Sequence, residues 1–180
     1  MSRRVPASAR PVRFPADYGE PGGQGRLLPW SRVEERLRAA PNDWIATVGP
    51  GSRPHARPID GVRVDGALRF GGSPETRWVR NVMANPAASI HVPSAAEAII
   101  IESAAEQVTD PSHPLAAPAT AASRQKYPPY FSGDQEPPLR PFWALRPQTA
   151  YAWTLEGFPR GATRWSFENA GAPGRGRQTR

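Results

Sequence analysis

Beyond residue 43, apolar and polar residues alternate with the period of two that half-buried strands require. Trp44-Ile45-Ala46-Thr47-Val48 reads as a first strand, with GPGSR as the turn after it. His55 to Val64 reads as a second, long strand that carries Pro58 and Gly61. Pro58 has no backbone donor, so this strand belongs at a sheet edge or is bulged there. Either arrangement leaves unpaired backbone groups near Arg57, Pro58, Ile59 and Asp60. Asp65-Gly66 makes a tight turn into a third strand, Ala67-Leu68-Arg69-Phe70. In this hairpin Val62, Val64, Leu68 and Phe70 are expected to face inward, with Arg63 and Arg69 pointing outward.

Helical spacing appears twice. Ser31 followed by Glu34 forms a capping box ahead of a short helix whose Val33, Leu37 and Ala40 share a face, and Pro41-Asn42 stops it. A second helix is expected to begin after Ser73, to bury Val79, Val82 and Met83, and to end at Asn85-Pro86. Ala88 to Val92 then reads as a fourth strand. Ala98-Ile99-Ile100-Ile101 begins a fifth that runs to Val108, the isoleucines suggesting burial on both faces. Phe142 to Leu145 with Ala150 to Thr154 read as a sixth strand interrupted by Pro147, and Ala162 to Phe167 as a seventh. Residues 111–141 hold eight prolines and read as loop, with a short helix from Ala119 to Lys126. Short strands, tight turns and no alternating strand-helix rhythm predict a mainly β fold, a small barrel with appended short helices.

Composition sharpens the boundaries. A chain of 180 residues fits one domain. Residues 1–28 lack periodicity and are expected to be a disordered basic tail, 29–168 the folded domain, and 169–180 a second basic tail. The net charge of +7 suggests nucleic acid at first sight. Arg3, Arg4, Arg10, Arg13, Arg175, Arg177 and Arg180 account for all of it, however, and no nucleic-acid-binding motif accompanies them. The absence of cysteine excludes disulfides, thiolate catalysis and Cys-based zinc sites. No apolar run reaches the roughly 20 residues of a membrane span, so the expected location is the cytoplasm. No Ser-His-Asp set, close carboxylate pair or His-rich metal spacing is present, so hydrolytic and metal-dependent chemistry lack candidates.

The candidate chemistry lies where the third strand meets the second helix. Gly71-Gly72 lets a ligand approach the backbone closely, and a helix start presents free N–H groups. Ser73 suits the N-cap and Pro74 the first helical position, while Thr76 and Arg77 add a hydroxyl and a guanidinium. The outline is an anion site fit for a phosphate.

Four pieces in this order carry a likeness: NDWIATVGPGSRPHARPI; GALRFGGSPETRWVRNVMANPAASIHV; AEAIIIESAAEQVTD; and FWALRP with AYAW and ATRWSF. Together they resemble the flavin-binding split-barrel family related to pyridoxamine 5′-phosphate oxidase, over about residues 30–168. The resemblance implies a six-stranded antiparallel split β-barrel of the FMN-binding type that forms a homodimer and binds FMN or the deazaflavin F420 in a groove between subunits. By position it places the ring near Arg57, Pro58, Ile59 and Asp60, and the phosphate near Gly71, Gly72, Ser73, Thr76 and Arg77. Many members carry a lysine after that arginine. Trp78 stands there in this chain, and Arg80, on roughly the same helix face, is the candidate replacement. The implied function is a flavin- or deazaflavin-dependent oxidoreductase acting on a small organic substrate, with no protein side chain required as nucleophile or acid. Arg57 is placed to stabilise negative charge on a reduced ring. The alternative is a non-catalytic flavin- or haem-binding protein using the same groove, with His55 and His91 as axial ligands of the haem.

Overall fold

The computed structural model describes residues 4–18, 26–131 and 141–168. Its strands are β1 (Ser8–Pro11), β2 (Asp43–Val48), β3 (Pro54–Ile59), β4 (Gly61–Val64), β5 (Ala67–Phe70), β6 (Ala87–His91), β7 (Glu97–Val108), β8 (Phe142–Leu145), β9 (Thr149–Thr154) and β10 (Thr163–Ser166). Three helices accompany them: α1 (Trp30–Ala39), α2 (Arg77–Ala84) and α3 (Ala116–Lys126). All pairings are antiparallel. One sheet runs β1-β10-β9-β7-β6-β2-β3, and β4, β5 and β8 extend from the far half of β7. That long strand pairs with β6 and β9 near its start and with β8 at its end, which makes it common to both parts. β3 and β4 follow each other in sequence but do not pair, so the barrel is split.

The expected second strand is therefore two strands divided at Asp60, and β3 is the sheet edge that Pro58 requires. The hairpin turn has positive φ at both Asp65 (47°) and Gly66 (72°), the conformation favoured in two-residue hairpins. The expected sixth strand is also two, β8 and β9, separated around Pro147 and joined to different neighbours.

The inside-outside assignment of the hairpin needs correction. Val62 opposes Arg69 and Arg63 opposes Leu68, so the valines and Arg69 share one face, while Leu68, Phe70 and Arg63 share the other. Both faces are covered. Leu68 and Phe70 join the barrel core with Ile45, Ile90, Ile101, Trp78 and Trp165. Val62, Val64 and Ala67 pack with Phe142 and with Leu115 and Ala119 at the start of α3. Neither arginine points freely into solvent: α3 roofs the face that carries Arg69, and Arg63 lies on the core side, where it meets Asp43.

Helix boundaries differ as well. Pro29, not Ser31, precedes α1, and no side chain caps it. Val33 and Leu37 are buried as expected. Met83 is 58% exposed, while Asn81 takes an inward position and donates from Nδ2 to Thr47 Oγ1 at 3.0 Å. On β7, Ile99 and Ile101 are buried while Ile100 is only half-buried.

The N-terminal segment is not wholly a tail. β1 pairs with β10, Arg4 lies over the Phe167 ring, and Phe14 packs on Phe158 and Trp153. Residues 19–25 and the expected C-terminal tail from 169 onward lie outside the described residues.

Candidate functional site

Asp60 and Gly61 mark the point where the chain leaves one sheet for the other, and the Pro-rich segment supplies what holds it. Lys126 Nζ donates to the Gly61 carbonyl at 2.8 Å, and Gly61 N–H donates to the Tyr127 hydroxyl at 3.1 Å. The same hydroxyl lies 3.0 Å from the Pro41 carbonyl. Tyr130, in a 3-10 turn over Pro128–Phe131, donates to Asp60 Oδ2 at 2.8 Å. Burial pushes the Tyr127 hydroxyl up to about 12, so it remains protonated at any physiological pH. The backbone groups of Gly61 are thus occupied by the last residue of the expected short helix, Lys126, and by Tyr127 from the expected loop.

Behind this kink, Arg63 donates to Asp43, whose residue is fully buried. Burial drives the Asp43 carboxyl up, partly offset by Arg63 and Lys126. The Arg63 pKa is lowered by the same loss of water, with Asp43 opposing.

The other end of the site is the turn before α2. Residues 73–76 form a separate turn, in which Thr76 donates to the Ser73 carbonyl from both its amide (3.0 Å) and its Oγ1 (2.7 Å). Thr76 is therefore the N-cap residue, and Arg77 rather than Pro74 opens the helix. No described residue accepts from the amides of Arg77, Trp78 or Val79. These are the orphan donors of a helix start. Arg77 is exposed and unpaired among the described residues. It is also close enough to His55 to lower that imidazole's pKa, after desolvation and ahead of Arg57. His55, Arg57 and Ile59 alternate on the face of β3 that Thr47, Ile45 and Asp43 share on β2. His55 and Arg57 thus share one face of β3, Arg77 is near enough to act on His55, and three free amides open the helix that Arg77 begins.

Between the kink and the turn lies a groove with two lobes. The first, about 370 Å³, is lined by Arg57, Ile59 and Asp60 from β3 and the kink, by Gly71, Gly72 and Thr76, and by Trp78. Ser73 lines the second lobe, of about 410 Å³. Pro58, Arg77 and Arg80 line neither. Pro58 opposes Trp44 and so faces the opposite side of β3 from Arg57. Trp78 forms a wall rather than a polar contact: its side chain is buried against Phe70, with ring centroids 5.5 Å apart. Arg80 is exposed on α2. The lining residues that sequence reasoning missed are Gly61, Val62 and Arg69 of the β4-β5 hairpin, and Ser123, Tyr127, Tyr130 and Phe131 from α3 and the turn after it. The only visible cue was two tyrosines and a phenylalanine bunched at the end of a weak helical pattern.

A backbone approach is open at Gly71, where an added Cβ would meet nothing within 4 Å. Gly72 is different, because a Cβ there would lie 2.1 Å from Trp78 Cζ2. Glycine at 72 is a packing requirement, while Gly71 leaves space beside the groove. Among the described residues no cluster of His, Asp and Glu could hold a metal ion, and no helix is long and apolar enough to cross a membrane.

The chain's relatives fit this geometry. No functionally curated protein matches the sequence. Solved structures match in fold. They include the haem storage protein HutZ from Vibrio cholerae (17% identity, 69% of this chain and 92% of that one, TM-score 0.57). A pyridoxamine 5′-phosphate oxidase-related, FMN-binding protein from Nostoc punctiforme PCC 73102 also matches (24% identity, 78% and 90% coverage, TM-score 0.53). A third is an F420 reductase (22% identity, 65% and 94% coverage, TM-score 0.50). The family model described as pyridoxamine 5′-phosphate oxidase matches residues 30–154, a span that contains β2 through β9 and the whole groove, and the chain belongs to that family.

Proposed function

We propose that this protein binds a phosphate-bearing flavin or deazaflavin, FMN or F420, and serves as an oxidoreductase for a small organic substrate. The observation that carries the reading is the grouping of His55, Arg57 and Arg77 beside a helix whose opening amides have no acceptor among the described residues. An anion there would meet both the helix N-terminus and two guanidinium groups. The ring would lie along the first lobe, against Ile59, the open backbone at Gly71 and the Trp78 wall. When bound, the cofactor supplies the electron and hydride chemistry. The protein's part is to hold the phosphate through Arg77 and the α2 amides, to orient the ring by β3, and to exclude water with Tyr127, Tyr130 and Phe131. Arg57, on the same face as Ile59, would offset negative charge on the ring.

Dimerisation through the outer face of the large sheet belongs to the same reading. Arg164, Tyr151, Ile100, His91, Trp44 and Pro58 form one continuous cross-strand row on that face. All of them but Pro58 are half-buried. A row of aromatic and aliphatic side chains on an uncovered sheet face suits a two-fold interface.

Likeness to HutZ supports a second reading, haem binding in the same groove. His55 shares a face with Thr47, whereas His91 shares one with Trp44, three positions along β2 and therefore on the opposite side of the sheet. The two histidines cannot ligate one iron within a protomer. Titrating the purified protein separately with FMN, F420 and haem, followed by absorbance and calorimetry, tests both readings. Saturable binding of FMN or F420 is expected, and saturable binding of haem alone would replace the first reading with the second.

A further inference from the structure

Two arginines leave the β4-β5 hairpin on opposite faces, and among the described residues only one has a counter-charge. Arg63 is paired with Asp43. Arg69 has no carboxylate within ion-pair distance among the described residues. Its Nη1 donates to Ser123 Oγ at 3.3 Å, a long bond, and its guanidinium sits 4.9 Å above the Phe142 ring. Its Nε is buried without an acceptor, and no recorded hydrogen bond uses Nη2. Burial lowers its pKa, with no carboxylate among the described residues opposing the shift. A guanidinium that has lost part of its water with no described anion beside it is an unfavourable arrangement, and such arrangements concentrate at binding sites.

Its position gives the charge a purpose. Arg69 lines both lobes of the groove, at the neck they share with Ser123 and Phe131. Beyond that neck the second lobe has an apolar wall of Val108, Pro111, Ala116 and Phe142 and a polar side with Thr109, Asp110 and Thr120. Of the described carboxylates that line the groove, Asp60 accepts from Tyr130 through Oδ2, and Asp110 accepts from both the amide and the hydroxyl of Ser112 through Oδ1; neither pairs with Arg69. A chamber with an apolar wall and, at its mouth, a guanidinium that no described carboxylate pairs with suits a ligand with an apolar body and an anionic end.

We propose that Arg69, with Ser123 as second donor, anchors the carboxylate of a small apolar organic acid whose body fills the second lobe. The planar fork of the guanidinium suits a planar two-oxygen group. This assignment rests on the reading of the groove as a substrate site beside the cofactor, and it names the class of substrate.

The test uses the full chain and three probes of one size: benzoate, phenyl phosphate and benzamide. Binding is read by calorimetry for the wild type, Arg69→Met and Arg69→Lys. Wild type should bind benzoate, and benzamide on the order of tenfold more weakly. Arg69→Met should lose on the order of tenfold or more in benzoate affinity, and Arg69→Lys should fall between, because an ammonium keeps the charge but not the fork. Melting temperature separates this from a structural role. Removing an uncompensated charge should leave Arg69→Met as stable as wild type or more so, whereas a mere clip between Phe142 and Ser123 would lower its melting temperature and leave benzoate affinity unchanged. Equal benzoate binding by wild type and Arg69→Met, absence of benzoate binding to folded wild type, or a preference for phenyl phosphate would each overturn the proposal. FMN affinity of Arg69→Met should match wild type. A specific loss would make Arg69 a cofactor contact and sink the assignment, while failure of FMN to bind either protein would count against the cofactor reading alone.

Discussion

Asp43 and Arg63 form a buried ion pair that ties the first residue of β2 to the middle of β4, across the gap where the barrel is split. β3 and β4 share no hydrogen bonds, so this contact, together with Lys126 and Tyr127 on Gly61, joins the two parts where backbone pairing cannot. Removing one partner leaves the other charge buried and alone. Asp43→Ala should therefore cost about 3–5 kcal/mol in denaturant unfolding. Replacing both by apolar residues of similar volume, Asp43→Leu with Arg63→Met, should recover much of that loss, and a double variant no more stable than the single would show that the pair is not acting as a unit.

The two adjacent glycines at the head of the groove should behave differently. Gly72→Ala drives a methyl into the buried Trp78 ring and should cost roughly 1–3 kcal/mol, read as a lower melting temperature. Gly71→Ala meets open space and should leave the melting temperature nearly unchanged. Equal effects would mean that Trp78 is free to move aside.

Arg77→Ala isolates the phosphate. The side chain is exposed, so stability without cofactor should be unaltered. Loss of a charge-assisted hydrogen bond of about 1.5–3 kcal/mol should weaken FMN or F420 on the order of ten- to a hundredfold. Riboflavin, which has no phosphate, should bind equally to both proteins. A matching loss for riboflavin would place the phosphate elsewhere.

His55 should report phosphate binding through its protonation. Its pKa lies below the ordinary imidazole value because of desolvation, Arg77 and Arg57. In the free protein the depressed value means that stability tied to neutral His55 is present above the unfolded pKa and lost as pH falls through the folded one. A bound phosphate would cancel the repulsion from both arginines and raise the imidazole pKa. FMN affinity should accordingly strengthen as pH falls from about 8 toward 6. Proton NMR titration of His55 with and without FMN measures the shift directly, and an unmoved resonance would put the phosphate out of reach of β3.

The strands from β2 onward were legible because most of them bury one side, and alternation records it; β1, with no buried residue, left no such record. Asp65-Gly66 and the donorless Pro58 fixed the hairpin and the edge by backbone chemistry alone. What could not be read was anything packed through small residues or backbone. α3 buries Ala116, Ala119 and Ser123, which leave no apolar stripe, so the roof over Arg69 was invisible and that arginine read as a surface residue. The site was half legible for the same reason. Arg57, Ile59, Asp60, Gly71, Gly72, Thr76 and Trp78 do meet in one lobe, but the tyrosines that close it arrive from a segment dominated by proline. Ser73-Pro74 has every mark of a helix start, yet Thr76 outcompetes it by bonding back to Ser73 and delays the helix to Arg77.

β1 has no buried side chain, and its whole contribution is a backbone ladder along β10. Truncation at about residue 12 would bare Thr163–Ser166 as an open edge able to recruit a strand from another molecule. A shortened chain should therefore remain folded when dilute but self-associate as concentration rises, a fault of colloidal behaviour rather than of the core.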